Sequence, residues 1–92
     1  MKKIGVIVNT ADTYRQSEAV RVVLGLTLMD DRVELIVLGR KLTRSKAVAK
    51  NLKLLDMMKG KAYSDNPENE LEPLSLGEIA KKLTEYDMVV PY

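Results

Sequence analysis

Neither cysteine nor histidine occurs anywhere in this chain. The first absence excludes disulfides, thiolate metal sites and sulfur nucleophiles. The second removes the commonest general base and the commonest metal ligand. Any chemistry therefore falls to carboxylates, lysines, tyrosines and hydroxyls. Tryptophan and phenylalanine are missing as well, so the core must be built from Val, Ile, Leu, Met and Ala. Long apolar runs are also lacking. Stretches such as Val22-Val23-Leu24 and Leu35-Ile36-Val37-Leu38 are far too short to cross a membrane. Lys2 and Lys3 run straight into strand-like sequence, without the apolar region and small-residue cleavage site of a signal peptide. The expectation is a cytoplasmic protein with no membrane partner.

What is present reads as one small domain spanning residues 1–92, ordinary in its 46% apolar and 30% charged residues. A chain of this size buries about 65% of its unfolded surface, which leaves a thin stability margin. The net charge of +2 is too small to imply nucleic acid, but the charge is unevenly distributed. Residues 40–61 carry eight basic groups against Asp56 alone, and residues 62–92 carry seven acidic groups against Lys81 and Lys82.

The chain is organised around Ile4-Gly5-Val6-Ile7-Val8, a near-continuous apolar run suited to a central strand covered on both faces. It stops at Asn9-Thr10-Ala11-Asp12, and Thr13 with Gln16 spells a capping box for a helix beginning at about Tyr14. Asp12 is the competing cap. A strand end, a polar loop and a helix N-terminus in succession is where open α/β sheets place ligands. Asn9, Thr10, Asp12, Thr13 and Tyr14 are the candidate ligand residues. Arg40 and Lys41, with Arg44, would join them from the end of the second strand, since parallel strands end on one edge.

The helix of about 14–29 is apolar around most of its circumference, and only Ser17, Glu18, Arg21 and Gly25 share a polar face. It either packs on the sheet with some apolar spill or buries a second face, through Val20, Leu24 and Leu28, in a subunit interface. A strand over 33–38 follows, ended by Gly39. A second helix over 44–59 starts at a Thr43 cap and ends at Gly60 as its left-handed residue. Lys46, Lys50 and Lys53 form a basic ridge on its outer face. This is either a solvated face or a surface for phosphate, an acidic partner or nucleic acid; the lack of interleaved aromatics argues against nucleic acid. Lys61–Ser64 reads as a short strand, and 65–73 as an acidic loop bracketed by prolines that matches no metal-ligand motif, so no metal is expected. Ser75 and Glu78 form a capping box for a helix over 76–85, with Leu76, Ile79, Ala80 and Leu83 expected inward. Asp87–Tyr92 closes the chain as a strand, with Pro91 at its end or on a sheet edge.

The fold expected is α/β: a small, open, mainly parallel sheet of about four strands, with three helices distributed over both faces. Three stretches bring a family resemblance. They are Lys3-Ile4-Gly5-Val6-Ile7-Val8-Asn9-Thr10 with its Ala/Val/Leu-rich helix, Val33-Glu34-Leu35-Ile36-Val37-Leu38-Gly39, and the run from Leu76 to Val90. Together they resemble DsrE/DsrF-like proteins, a flavodoxin-like group that includes subunits of sulfur relays. Sulfur-carrying members hold a persulfide on a cysteine after a central strand, where this chain has Tyr63-Ser64-Asp65. A serine cannot carry a persulfide. The resemblance thus implies a non-catalytic member without cofactor, acting as an assembly or accessory subunit. It would form a homo-oligomer (a trimer or hexamer), or a hetero-oligomer with a related, cysteine-bearing subunit. The residues themselves also admit an anion- or nucleotide-binding domain using the 9–14 loop. No nucleophile–base–orienter set can be assembled from the spacing.

Overall fold

The computed structural model describes residues 2–29 and 32–92. Among these residues the chain forms five strands and three α-helices in the order β1 (Lys3–Val8), α1 (Thr13–Leu28), β2 (Arg32–Val37), α2 (Lys46–Met57), β3 (Lys61–Ser64), β4 (Glu72–Pro73), α3 (Leu76–Leu83) and β5 (Met88–Pro91). The polar turn expected at Asp30-Asp31 lies outside the described residues. The sheet order is β4-β3-β2-β1-β5, and every pairing is parallel. The fold is α/β as the hydrophobic patterning requires. The fifth strand is the addition: two residues of the acidic segment pair with β3, a ladder too short to leave any periodicity. The same segment holds a single 3-10 turn at Pro67–Asn69, so it is a folded connection and not a plain loop.

Alternation along the strands splits the core in two. Ile4, Val6 and Val8 of β1, with Val33, Leu35 and Val37 of β2, face Ala19, Val20 and Val23 of α1 and Val48, Leu52 and Leu55 of α2. The opposite face is smaller: Ile36, Tyr63 and Ile79 form its buried centre, with Ile7, Leu38, Leu74 and Tyr86 packed around them. Only α3 among the described helices covers that face. Ser75 caps α3 in the expected box with Glu78. The inward stripe is narrower than the pattern suggested, however. Ile79 is buried, whereas Leu76 is 68% and Leu83 38% exposed, and Ala80 is exposed as well.

The mismatch has a simple geometric origin. Five strands spaced about 4.8 Å apart make a sheet roughly 19 Å wide, room for two helices of about 10 Å on each face. One face has α1 and α2; the other has α3 alone. Lys82 and Tyr86 reach Glu34 on β2, and Lys82 lies over the Tyr63 ring on β3, so α3 sits over the β2–β3 half. On the β1–β5 side the Tyr86 ring lies over Gly5 and Ile7 is half-buried, while Val89 on the edge strand is 41% exposed.

Both outer edges of the sheet carry proline. Tyr92 directs its N–H to Ile7 O and its C=O to the Asn9 N–H, so by alternation Val89 and Pro91 turn their backbone groups away from β1. The Leu74 N–H bonded to Ser64 O places Pro73 outward on β4 in the same way. Each proline removes a donor where a further strand would need one.

At the end of α2 the sequence expectation is shifted by one residue. Lys59, at φ 62, is the left-handed residue, and Gly60 follows it. The Lys59 N–H bonds Asp56 O and the Gly60 N–H bonds Leu55 O, a Schellman pairing that satisfies the last carbonyls. Gly60 is held by contact, since a Cβ there would meet the Leu55 side chain. Gly5 is required for a similar reason: a Cβ on it would lie 2.5 Å from the Tyr86 ring. Gly5→Ala should lower stability by about 1–3 kcal/mol through overpacking, read from denaturant unfolding.

Candidate functional site

At the carboxyl edge of the sheet the loops after β1 and β2 meet. Arg40 Nε donates to Asn9 O at 3.4 Å, and Gln16 Nε2 donates to Thr10 O at 2.9 Å and Lys41 O at 3.3 Å. The Thr43 N–H in turn donates to Gln16 Oε1 at 3.0 Å. Asn9 and Thr10 therefore lie beside Arg40 and Lys41, as the parallel strands require. The caps differ from the capping-box expectation. Asp12 is the N-cap of α1, its Oδ1 accepting from the N–H groups of Tyr14 and Arg15, and Thr13 is the first helical residue. Ser45, not Thr43, caps α2, its Oγ accepting from the Val48 N–H at 3.2 Å.

Gln16 is thus a buried bridge and not a capping partner. Its signal was present in the sequence: Gln16, Ala19, Val20 and Val23 follow the helical spacing of one buried stripe. Asn69 clamps the same loop from the other side. Its Oδ1 accepts from the Leu42 N–H at 2.7 Å, and its Nδ2 donates to Arg40 O and to Ser64 Oγ, both at 2.9 Å. Arg44 adds a bond to Asn69 O. Nothing in the local sequence marks Asn69 as buried, since it lies among exposed acids. Ser64 Oγ donates to Val37 O and accepts from Asn66 N and Asn69 Nδ2, so the hydroxyl is buried and fully engaged.

This edge is poorly suited to an anion at the head of α1. The Asp12 carboxylate already occupies the free N–H groups there, and it carries negative charge. Open α/β sheets favour ligands where the strand order reverses, here between β1 and β5. Tyr92 closes that gap through its bonds to Ile7 and Asn9, with the Arg15 guanidinium 5.3 Å above its ring. Tyr14 stands outside, 71% exposed. Lys41 lines a cavity of about 470 Å³ with Leu42, Thr43, Arg44, Glu68 and Glu70, where the two carboxylates oppose the two cations. Of the interface candidates, Val20 is buried in the chain's own core and presents no surface, Leu24 is half-buried, and Leu28 is exposed. Lys46, Lys50 and Lys53 are all exposed on α2.

A second polar group lies on the α3 face. Glu34 Oε1 accepts from Tyr86 Oη at 2.6 Å and from Lys82 Nζ at 3.1 Å, and Lys82 Nζ lies 4.6 Å from the Tyr63 ring centre. Burial pushes the Glu34 carboxyl up, but the Tyr86 hydroxyl and the Lys82 ammonium outweigh it and hold it below its ordinary 4.5. Burial likewise pulls Lys82 down, and the bond and charge of Glu34 more than reverse this. Tyr86 is raised by burial and by the neighbouring carboxylate. These shifts describe an ion pair locked by a phenol. Among the described residues no group of three or more Asp, Glu, His or Cys could hold a metal ion, and no helix is long and apolar enough to cross a membrane. No protein-family model and no curated protein matches the chain.

Two outcomes follow. Asn69→Ala leaves the buried Leu42 N–H without its acceptor and should cost about 1–3 kcal/mol, with faster hydrogen exchange at the Leu42 amide. Because Glu34 is depressed in the folded state, its contribution is present above the ordinary carboxylate pKa and is lost as pH falls through the folded value. Glu34→Gln should be less stable than wild type at neutral pH by roughly 1–3 kcal/mol, the gap closing on acidification in unfolding curves measured at several pH values.

Proposed function

We propose that this chain is a non-catalytic, DsrE-like domain that acts as an oligomeric assembly or accessory subunit, with any sulfur-relay chemistry carried by a cysteine-bearing partner. The observation that carries the reading is the apolar surface left exposed on α3 and on the neighbouring edge strand. Leu76 and Leu83 of α3 are 68% and 38% exposed, and Val89 of β5 is 41% exposed. A soluble domain gains by covering a contiguous apolar patch with a second protein surface. The prolines on both edges direct such a contact to the face and away from strand addition. The engaged Ser64 hydroxyl, at the place where relay members carry their cysteine, supports a role without sulfur chemistry. The assembly is a cytoplasmic homo-oligomer (a trimer or hexamer by the resemblance) or a hetero-oligomer with a related subunit.

A second reading, binding of an anion or nucleotide at Asn9–Tyr14 with Arg40 and Lys41, has the proximity of those residues in its favour. The Asp12 carboxylate at the helix head stands against it. Native mass spectrometry separates the two readings. The first expects a multimer, and Val89→Lys should reduce it to single chains with an unchanged far-ultraviolet circular dichroism spectrum. Single chains of wild-type protein at micromolar concentration, purified from its own host with no companion subunit, would overturn it. A melting temperature raised by phosphate-bearing metabolites would favour the second reading.

A further inference from the structure

We infer that the cavity between the β2–α2 loop and the Pro67–Asn69 turn is a binding site for a small zwitterion of the α-amino acid class. The inference is independent of the assembly reading. The cavity, about 470 Å³, has the volume of a small-molecule site and lies where the loops after β2 and β3 meet, at the carboxyl edge of the sheet. Lys41 and Arg44 line it from one loop, and Glu68 and Glu70 from the other. Among the described residues none of these four forms a salt bridge. Charges of both signs therefore share one cavity without neutralising each other by contact.

That balance decides what the cavity can hold. A phosphate or other plain anion would meet the two carboxylates, and a metal ion or polyamine would meet the ammonium and the guanidinium. Each single-sign ligand takes a repulsion along with its attraction. A molecule with a carboxylate and an ammonium a few bonds apart takes both attractions. Arg44 suits the carboxylate. It donates one N–H to Asn69 O, which holds the guanidinium in place and leaves its other N–H groups to donate. Glu68 and Glu70 suit the ammonium.

The walls are fixed from beneath. Asn69, 1% exposed, belongs to one wall and bonds the Leu42 N–H and Arg40 O of the other, while Gln16 Nε2 holds Lys41 O. The Glu70 N–H bonds Pro67 O, and the Glu70 backbone is left-handed at φ 54. That conformation is unfavourable for a residue with a Cβ, and glycine would adopt it with less strain. A glutamate there gives the cavity a carboxylate at some expense to local stability. The clamp occupies the amides of this edge and leaves its four charged side chains exposed on a rigid frame. Such pre-organisation is what a small ligand with few contacts needs.

Amide chemical shifts of isotope-labelled protein, titrated with each of the common α-amino acids to millimolar concentration, test the site. At least one amino acid should move the amides of residues 41–44 and 68–70 saturably and raise the melting temperature. Acetate and methylammonium added together should bind at least about tenfold more weakly, because the separated halves lose the effective concentration of the linked molecule. Glu70→Gln and Lys41→Met should each weaken binding at least about tenfold by removing one charge. Glu70→Gly should lose binding with its melting temperature unchanged or raised. A lack of saturable response to every amino acid, an equal response to inorganic phosphate, or undiminished binding by Glu70→Gln overturns the inference and leaves the assembly reading standing.

Discussion

A parallel sheet distributes apolar side chains to both of its faces, and water must be excluded from both. That demand shapes most of this molecule. β1 and β2 are buried on each side because they lie at the centre of the sheet, and α1 and α2 together match its width. The third helix does not. The imbalance between a five-stranded sheet and a single short helix leaves Val89, Leu76 and Leu83 in water, although the capping box of α3 shows that the helix itself is well made. The shortfall is therefore one of coverage and not of local stability.

The two polar networks answer a different need. The loop between β2 and α2 passes over the end of the sheet with its amides and carbonyls partly buried, and such groups must be paired. Gln16 and Asn69 supply those pairs from opposite sides, and each uses both ends of its amide. Primary amides suit the task because they donate and accept without charge. The result is a rigid carboxyl edge whose polar groups are turned inward, which limits what the edge can offer a ligand.

Glu34 has a less obvious place in the economy of the fold. A carboxylate on the inner face of β2 bears a desolvation cost that an apolar residue would avoid. It is tolerated because Tyr86 crosses over Gly5 to reach it and Lys82 descends from α3. The pair ties α3 to the β2–β3 half of the sheet. A purely apolar contact would let so short a helix slide, whereas a directional bond places it.

Much of this was legible from the residues alone. The apolar runs of β1 and β2, the Ser75–Glu78 box and the Lys61–Ser64 strand depend on neighbours in sequence, where propensity and periodicity operate. Proline at Pro91 likewise indicated an edge before any pairing was known. Of the two caps that the start of α1 offered, Asp12 is the one used. The Ser45 cap and the left-handed Lys59 fall one or two residues from the expected positions because neighbouring residues offer equivalent local bonds, and the two-residue β4 was missed because its pairing with β3 leaves no periodicity. The buried Asn69 and the Glu34–Lys82–Tyr86 group join residues 25 to 52 positions apart. Sequence by itself determined the class of fold and the absence of thiol and imidazole chemistry, since both follow from which residues are present and how they alternate. Only the tertiary structure decided which loops are clamped, that Val20 faces inward, and that Leu76 and Leu83 stay exposed on α3, because these depend on contacts between elements far apart in the chain.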